Sequence, residues 1–273
     1  MFSRAAGWAA VSVLGLLGFV VMLGALQRQL IYFPTVEPEP RLVTAAQGMG
    51  LQDWRDEQGQ LIGWHVAGGR GEARRVLVFH GNAGHSLHRD YYLAGFHALG
   101  DTWDVYLFEY PGYGARPGEP SELNIKGAAT AALEQLLSHD ARPVYLLGES
   151  LGSGVASYLA ANYPEQVAGL LLVTPFTSLV DVASHHYAFL PVRALLSERY
   201  DSLEALSHYR GPAAFLLAGS DEVVPTELGQ QLYDSYPGPK RLWVAEGAGH
   251  NTLPLQVGAP WWSEVSSFLL SAP

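Results

Sequence analysis

The stretch that decides the fold reads PVYLLGESLGSGVA and spans residues 143–156. Its first half is an apolar run with β-branched and aromatic members, which predicts a buried strand. Its second half is rich in small residues compatible with a helix, and Gly-x-Ser-x-Gly lies between the halves. This order predicts a nucleophile elbow, a sharp turn that exposes the hydroxyl of Ser150. Gly148 and Gly152 are expected because a Cβ there would collide with the crossing strand and helix.

The motif alone does not settle the role of Ser150. The chain contains 30 glycines, so a Gly-x-Ser-x-Gly pattern can arise by chance. In that case Ser150 would only cap the helix that follows a glycine-rich turn. Partner residues elsewhere in the chain must therefore decide between a catalytic serine and a structural one.

Length and composition narrow the classes of protein. The chain has 273 residues, of which 48% are hydrophobic and 15% are charged. These values favour one large domain around a sheet that is buried on both faces. A net charge of −10 without a basic stripe argues against nucleic-acid binding. The absence of cysteine excludes disulfides, thiolate metal sites and a cysteine nucleophile, and it leaves the redox compartment open.

Residues 5–26 contain no charged side chain. At 1.5 Å per residue they would span about 33 Å as a helix, which is enough to cross a bilayer. We therefore predict an N-terminal membrane anchor at 1–27, in preference to a cleaved signal peptide or a buried core helix. Arg4 precedes the segment, whereas Arg28 and Arg41 follow it. This charge distribution favours a single-pass protein whose catalytic part lies outside the cytoplasm.

Two further regions follow the predicted anchor. Residues 28–50 are predicted to be a connector, because prolines at 34, 38 and 40 favour extended backbone and stop any helix. The apolar residues 30–33 within it are expected on the membrane surface or packed on the domain. The domain itself is predicted for 51–273, beginning with a hairpin over 51–66 at a sheet edge.

From residue 76 onward, strands alternate with helices. This pattern predicts an α/β architecture, with a mostly parallel central sheet flanked by helices. Residues 176–211 interrupt the alternation, and either a short lid insertion or an ordinary crossover fits them. His185 and His186 lie there, but adjacent histidines project differently on a helix, and no metal site is predicted. The remaining elements are expected as strands at 76–79, 105–110, 170–173, 214–217 and 242–245, and as helices at 121–138 and 261–270.

A catalytic serine needs a base, and the base needs a carboxylate that fixes its tautomer. In this kind of fold the chain order is serine, acid, histidine, with each residue at the carboxyl end of a strand. Asp221 follows the strand 214–217, although it could instead cap the next helix. Glu222 is its nearest rival, while Asp181 and Asp201 lie in the possible lid. His250 stands in a glycine-rich loop after the last strand, and we predict that it is the base rather than an ordinary surface histidine.

The turn His80-Gly81-Asn82-Ala83-Gly84 follows the first parallel strand. Backbone N–H groups at such a turn can stabilise the oxyanion of an acyl intermediate. We predict that the N–H groups of Leu151 and Asn82 form the oxyanion hole. His80 is expected to pin the loop, because the chain order excludes it as the base.

Several motifs together resemble the α/β-hydrolase superfamily, and within it the membrane-anchored bud-emergence-type serine hydrolases. They are LIYFP at 30–34, HGNAG at 80–84, YPGYG at 110–114, PSE at 120–122, GESLG at 148–152, Asp221 with Val224-Pro225, and GHN at 249–251. The resemblance covers about 28–270. The chain departs from the family pattern at Glu109, where Asp is frequent, and at Ala218, where Gly is frequent. The resemblance implies an esterase, lipase-like or thioesterase activity.

The sequence thus predicts a membrane-tethered hydrolase that cleaves carboxylic esters or thioesters through an acyl-enzyme on Ser150, with Asp221 and His250 as partners. Its substrate is expected to be a small-molecule or lipid-derived acyl ester, such as a lysophospholipid, or an acylated protein. No metal or organic cofactor is expected. Two alternatives remain: an amidase or peptidase with the same triad, and a non-catalytic protein that retains the fold.

Overall fold

The computed structural model describes residues 18, 22, 26–66, 73–100 and 103–271. Residues 26–31 are helical and are called α1. The strands are β1 (Phe33–Pro34), β2 (Leu51–Arg55), β3 (Leu61–Val66), β4 (Arg74–Phe79), β5 (Ala83–Gly84), β6 (Trp103–Phe108), β7 (Val144–Glu149), β8 (Val167–Val173), β9 (Ala213–Ala218) and β10 (Lys240–Ala245). The other helices are α2 (Glu39–Gly48), α3 (Asp90–Ala98), α4 (Glu122–His139), α5 (Leu151–Asn162), α6 (Leu179–His186), α7 (Val192–Leu195), α8 (Ser202–Leu206), α9 (Thr226–Ser235) and α10 (Trp261–Ser271).

Eight strands form the central sheet, in the order β10-β9-β8-β7-β4-β6-β3-β2. The pairs β2–β3 and β3–β6 are antiparallel, and the other pairs are parallel. The predicted edge hairpin over 51–66 and the mostly parallel sheet are therefore confirmed. A separate two-stranded pairing joins β1 to β5, with Phe33 opposite Ala83.

Alternate residues of the inner strands belong to two separate buried clusters. In β4, Leu77 and Phe79 pack in one cluster, whereas Val76 and Val78 pack in the other. The first cluster includes residues of α4 and α5, and the second includes residues of α3 and α10. Helices thus cover both faces of the sheet, which explains why the inner strands β8 and β9 contain only apolar residues.

Helix α4 begins where the sequence predicts it. Ser121 is the N-cap, and its side chain accepts a hydrogen bond of 3.1 Å from the backbone N–H of Asn124. This contact satisfies one of the N–H donors that the first turn leaves without an intrahelical partner.

Residues 28–50 are less extended than expected. The prediction that their prolines stop any helix is wrong, because α2 begins at Glu39. Pro38 is the N-cap and Pro40 lies in the first turn, where no helical N–H bond is lost. Leu42 and Ala46 are buried beside the sheet. Helix α2 therefore packs on the domain. Of the apolar residues 30–33, Tyr32 is buried and Ile31 packs partly against the core, whereas Leu30 and Phe33 are exposed.

Three short helices, α6, α7 and α8, lie in the region 176–211 between β8 and β9. Helix α8 packs against α5, so this part of the region fits an ordinary crossover between β8 and β9. Phe189 is 82% exposed and Tyr187 is 53% exposed, so the tip of the region presents apolar side chains to solvent. His186 Nε2 lies 2.8 Å from the carbonyl oxygen of Val223 and links α6 to the loop after β9.

Of the predicted anchor at 1–27, only Gly18, Met22, Leu26 and Gln27 belong to the part of the chain that the structure describes. The prediction therefore lies outside the described residues. Within those residues, none of the helices combines the length and the apolar character that a membrane crossing requires.

Candidate active site

Ser150 lies at the sharp turn between β7 and α5. Its φ of 51° and ψ of −116° are unusual for a residue with a side chain, and such a conformation costs about 1–3 kcal/mol. A Cβ on Gly148 would overlap the backbone of Gly152 and Ser153, and one on Gly152 would overlap the carbonyl of Phe79. The two glycines therefore permit the close crossing of β4, β7 and α5 that holds Ser150 in this conformation.

His250 lies in the loop after β10 and faces Ser150. Its Nε2 is 3.1 Å from Ser150 Oγ, and its Nδ1 is 2.8 Å from Asp221 Oδ2 and 3.0 Å from Asp221 Oδ1. The histidine side chain is 10% exposed and the aspartate side chain 2%. Three residues predicted from separate parts of the sequence thus form one continuous hydrogen-bonded chain.

The loop after β9 holds the Asp221 carboxylate in place. Asp221 Oδ1 accepts hydrogen bonds from the backbone N–H groups of Val223 at 2.9 Å and Val224 at 2.7 Å. Since β9 and β10 are neighbouring parallel strands, their carboxyl ends bring Asp221 and His250 to the same edge of the sheet. The carboxylate is thereby oriented toward the imidazole.

The rival acids contact other groups. Glu222 Oε2 accepts a hydrogen bond of 3.3 Å from the backbone N–H of His250, not from its ring. Asp201 caps α8 by accepting the N–H of Glu204 at 3.0 Å. Asp181 binds the hydroxyls of Thr177 and Ser178 and the guanidinium of Arg193. Among the acids considered, the structure brings Asp221 to the imidazole of His250.

Asn82 lies in the loop after β4 and is tied to the N-terminal part of the domain. Its side-chain amide donates to the carbonyl of Ile31 at 2.7 Å. Its own carbonyl accepts from the N–H of Phe33 at 2.9 Å and from the hydroxyl of Tyr113 at 2.7 Å. As the first residue of α5, Leu151 has a backbone N–H without an intrahelical acceptor. That the N–H groups of Asn82 and Leu151 form an oxyanion hole stays a prediction.

His80 is buried in the same loop. Its Nδ1 lies 2.7 Å from the carbonyl oxygen of Gly81, and its ring centroid lies 3.9 Å from that of Tyr110. The Tyr110 hydroxyl donates to the carbonyl of His80 at 2.7 Å. These contacts agree with the expected role of His80 in pinning the loop.

Sequence reasoning missed an ion pair beneath this loop. Arg89 donates to Glu149 Oε1 through Nη2 at 2.9 Å and Nε at 3.1 Å, and the hydroxyl of Tyr91 donates to Oε2 at 2.5 Å. Burial alone would raise the pKa of Glu149, but the charge of Arg89 and these hydrogen bonds hold it below its ordinary value. A Cβ on Gly81 would lie 3.1 Å from Glu149 Oε1 and 3.7 Å from Ser150 Cβ. The pair therefore supports the loop immediately beside the serine.

Comparison with known proteins identifies the family. A profile of the alpha/beta hydrolase fold matches residues 74–203. An uncharacterised protein of Mycobacterium tuberculosis is 37% identical to this chain, over 97% of the chain and 95% of that relative. The chain belongs to the α/β-hydrolase family. It is accordingly a hydrolase, and the predicted resemblance is confirmed.

Two further relatives are a named lipase and a bud-emergence-type protein. The lysophosphatidylserine lipase ABHD12 of Danio rerio is 30% identical over 69% of the chain and 54% of that relative. The protein bem46 of Schizosaccharomyces pombe is 30% identical over 55% of the chain and 52% of its own length. The hydrolase thus spans about half the length of these two relatives.

A solved structure supports the fold. The Pyrococcus furiosus esterase matches with a TM-score of 0.63 and 18% identity, over 88% of this chain and 97% of that one. At this identity the likeness concerns the architecture of the hydrolase, namely the parallel sheet and its covering helices.

Proposed function

We propose that this hydrolase cleaves carboxylic esters or thioesters through a covalent acyl-enzyme on Ser150. The observation that carries the proposal is the continuous chain from Ser150 Oγ through the His250 imidazole to the Asp221 carboxylate, with contacts of 3.1 and 2.8 Å. A serine hydroxyl is a weak nucleophile, and this arrangement supplies the base and the orienting carboxylate that it requires.

The first half of the reaction forms the acyl-enzyme. Ser150 Oγ attacks the acyl carbon while its proton moves to His250 Nε2, and Asp221 stabilises the resulting imidazolium. The N–H groups of Leu151 and Asn82 bind the negatively charged oxygen of the tetrahedral intermediate. The bond to the leaving group then breaks, and His250 returns the proton to the departing alcohol or thiol.

The second half releases the acid. Water attacks the acyl carbon and gives its proton to His250, which returns a proton to Ser150 Oγ as the acyl-serine bond breaks. The same two N–H groups bind the second tetrahedral oxyanion. Atoms and charges balance without a metal or an organic cofactor.

We also propose a lipid-derived substrate and a membrane-bound location. Three observations support this: the lysophosphatidylserine lipase among the relatives, the exposed Tyr187 and Phe189 in the region 176–211, and the uncharged residues 5–26. A single-pass anchor at 1–27 would keep the enzyme close to amphipathic esters. The charges that flank residues 5–26 favour an orientation in which the domain lies on the extracytoplasmic side.

A fluorophosphonate probe tests the nucleophile, because such probes label an activated serine. The full-length protein should be labelled at Ser150. Ser150→Ala should abolish labelling and lower ester turnover by about 10⁴-fold or more. Ser138→Ala, which changes an exposed serine at the end of α4, is the matched control and should leave both unchanged. Unlabelled wild-type protein, or a loss of turnover below about tenfold, would refute the assignment.

A substrate panel tests the specificity. Esters of graded acyl length, a lysophospholipid, a thioester and an amide should be compared with the same enzyme preparation. We expect turnover of the oxygen esters and thioesters and much slower turnover of the amide. Preferential amide cleavage would identify an amidase or peptidase instead.

Removing residues 2–24 should release active enzyme to the soluble fraction, and persistent membrane binding of that variant would contradict a single anchor.

A further inference from the structure

Three potential metal ligands meet where the N-terminal segment crosses the loop after β4. They are Glu37, His85 and His88, and one ligand atom from each lies within 4.8 Å of the others. Glu37 stands three residues after β1, and its N–H donates to the carbonyl of Gly114 at 3.0 Å. His85 directly follows β5, and His88 lies on the 3₁₀ turn Ser86–Arg89. The pairing of β1 with β5 brings these distant parts of the sequence together.

The imidazole of His85 is an unusual buried group. Its side chain is 4% exposed, and neither ring nitrogen has a hydrogen-bond partner within the described part of the chain. Buried polar atoms normally have such a partner, so both nitrogens need an explanation. His85 Nε2 lies 3.6 Å from Glu37 Oε1, and its ring centroid lies 3.7 Å from that of His88. Two ligands of one tetrahedral Zn²⁺ lie about 3.3 Å apart, close to the first of these distances.

The charges around the cluster favour a cation. The exposed Arg41 forms an ion pair with Glu37, in which Arg41 Nε lies 3.0 Å from Glu37 Oε2. The other carboxylate oxygen, Oε1, faces His85. The buried carboxylate of Glu109 accepts the N–H and hydroxyl of the neighbouring Ser86. A Cβ on Gly84 would lie 2.7 Å from His88 Nδ1 and 3.3 Å from Arg89 Nη1, so this guanidinium lies near His88, and its charge is paired with that of Glu149.

We propose that Glu37, His85 and His88 bind a divalent transition metal ion, with Zn²⁺ as the best fit. Two imidazoles and one carboxylate form a donor set that suits Zn²⁺, and water completes the tetrahedron. The ion joins the segment after β1 to the loop that carries Asn82. It therefore braces the oxyanion side of the active site and takes no part in the bond-breaking steps.

Zinc titration of the full-length protein tests the proposal. The detergent-solubilised protein is first treated with a chelator and dialysed, and Zn²⁺ alone is then added while heat release and the midpoint of thermal unfolding are followed. We expect one Zn²⁺ per chain at this site and a rise in the unfolding temperature. Glu37→Gln and His88→Ala should each weaken binding by about 100-fold, because each removes one of three protein ligands.

The controls separate this site from other histidines and from the proposed catalysis. His97→Ala changes an exposed histidine on α3 and should bind Zn²⁺ like the wild type. Glu37→Gln and His88→Ala are preferred to His85→Ala, because loss of the buried ring can destabilise the fold by itself. Absence of binding in the wild type, unchanged affinity in both variants, or an equal response to Mg²⁺ would overturn the proposal. None of these readouts depends on Ser150.

Discussion

The two sides of Ser150 are built by different means. On one side, Asp221 and His250 come from loops after the neighbouring strands β9 and β10, and short loop contacts hold them. On the other side, the loop containing Asn82 is held by groups from distant parts of the chain, including Ile31, Phe33 and Tyr113. The comparison teaches that the proposed acid–base side depends on strand order, whereas the proposed oxyanion side depends on long-range packing.

The largest expected effect is on the acid–base side. Asp221→Asn should lower ester turnover by about 10⁴-fold, because the amide no longer favours the required tautomer of His250. Glu222→Gln alters the adjacent acid, which contacts only the backbone of His250, and should change turnover by less than about tenfold. Steady-state kinetics and thermal unfolding would be measured for both variants. Comparable losses in the two variants would mean that Asp221 is not the orienting acid.

The next effect concerns the support beneath the oxyanion loop. Arg89→Met should lower the free energy of unfolding by about 3 kcal/mol, because it leaves the largely buried Glu149 carboxylate, whose side chain is 15% exposed, without its cation. Turnover should fall as well, since the pair lies against Gly81 beside Ser150. Urea unfolding at neutral pH measures the first quantity. Wild-type stability of the Arg89→Met protein would show that the Arg89–Glu149 pair does not support the loop that carries Asn82.

The dependence of stability on acidic pH also tests the Arg89–Glu149 pair. The pKa of Glu149 is lowered in the folded protein from an ordinary value of 4.5. Its stabilising contribution is therefore present above pH 4.5 and is lost as the pH falls through the lower folded value. Glu149→Gln lacks this carboxyl, so its stability should decline less than that of the wild type over this acidic range. Parallel declines of the two proteins would argue against the ion pair as the cause.

The smallest effect concerns the glycines. Gly152→Ala should destabilise the protein by about 1–3 kcal/mol, because its Cβ would overlap the backbone at Phe79. Gly127→Ala is the matched control on the exposed face of α4, where nothing lies within 4 Å of the new Cβ. That change should stabilise the protein by about 0.4–1 kcal/mol. Chemical denaturation of both variants would test the difference, and equal effects would contradict the close crossing of strand and helix.

The sequence predicted the acid–base side more completely than the oxyanion side. Ser150, Asp221 and His250 could be located because each follows a strand, and because the order of strands in a parallel sheet constrains which loops meet. Glu149 and Arg89 lie 60 residues apart, and no local pattern pairs them. The sequence does not reveal helix α2, because a proline indicates the end of a helix unless it is known to lie in the first turn, as Pro40 does.

The pairing of β1 with β5 also fixes how the enzyme is mounted. Residues 26–31 are helical, and the next few residues hydrogen-bond directly to the loop that carries Asn82. A flexible tether would let the domain tumble and would separate its attachment from its chemistry. Here residues 26–31 are helical, and the chain that follows them is hydrogen-bonded to the loop that carries Asn82, so a force applied at residue 26 would act close to this loop. A surface that held residues 26–31 would therefore lie at a defined position relative to Ser150.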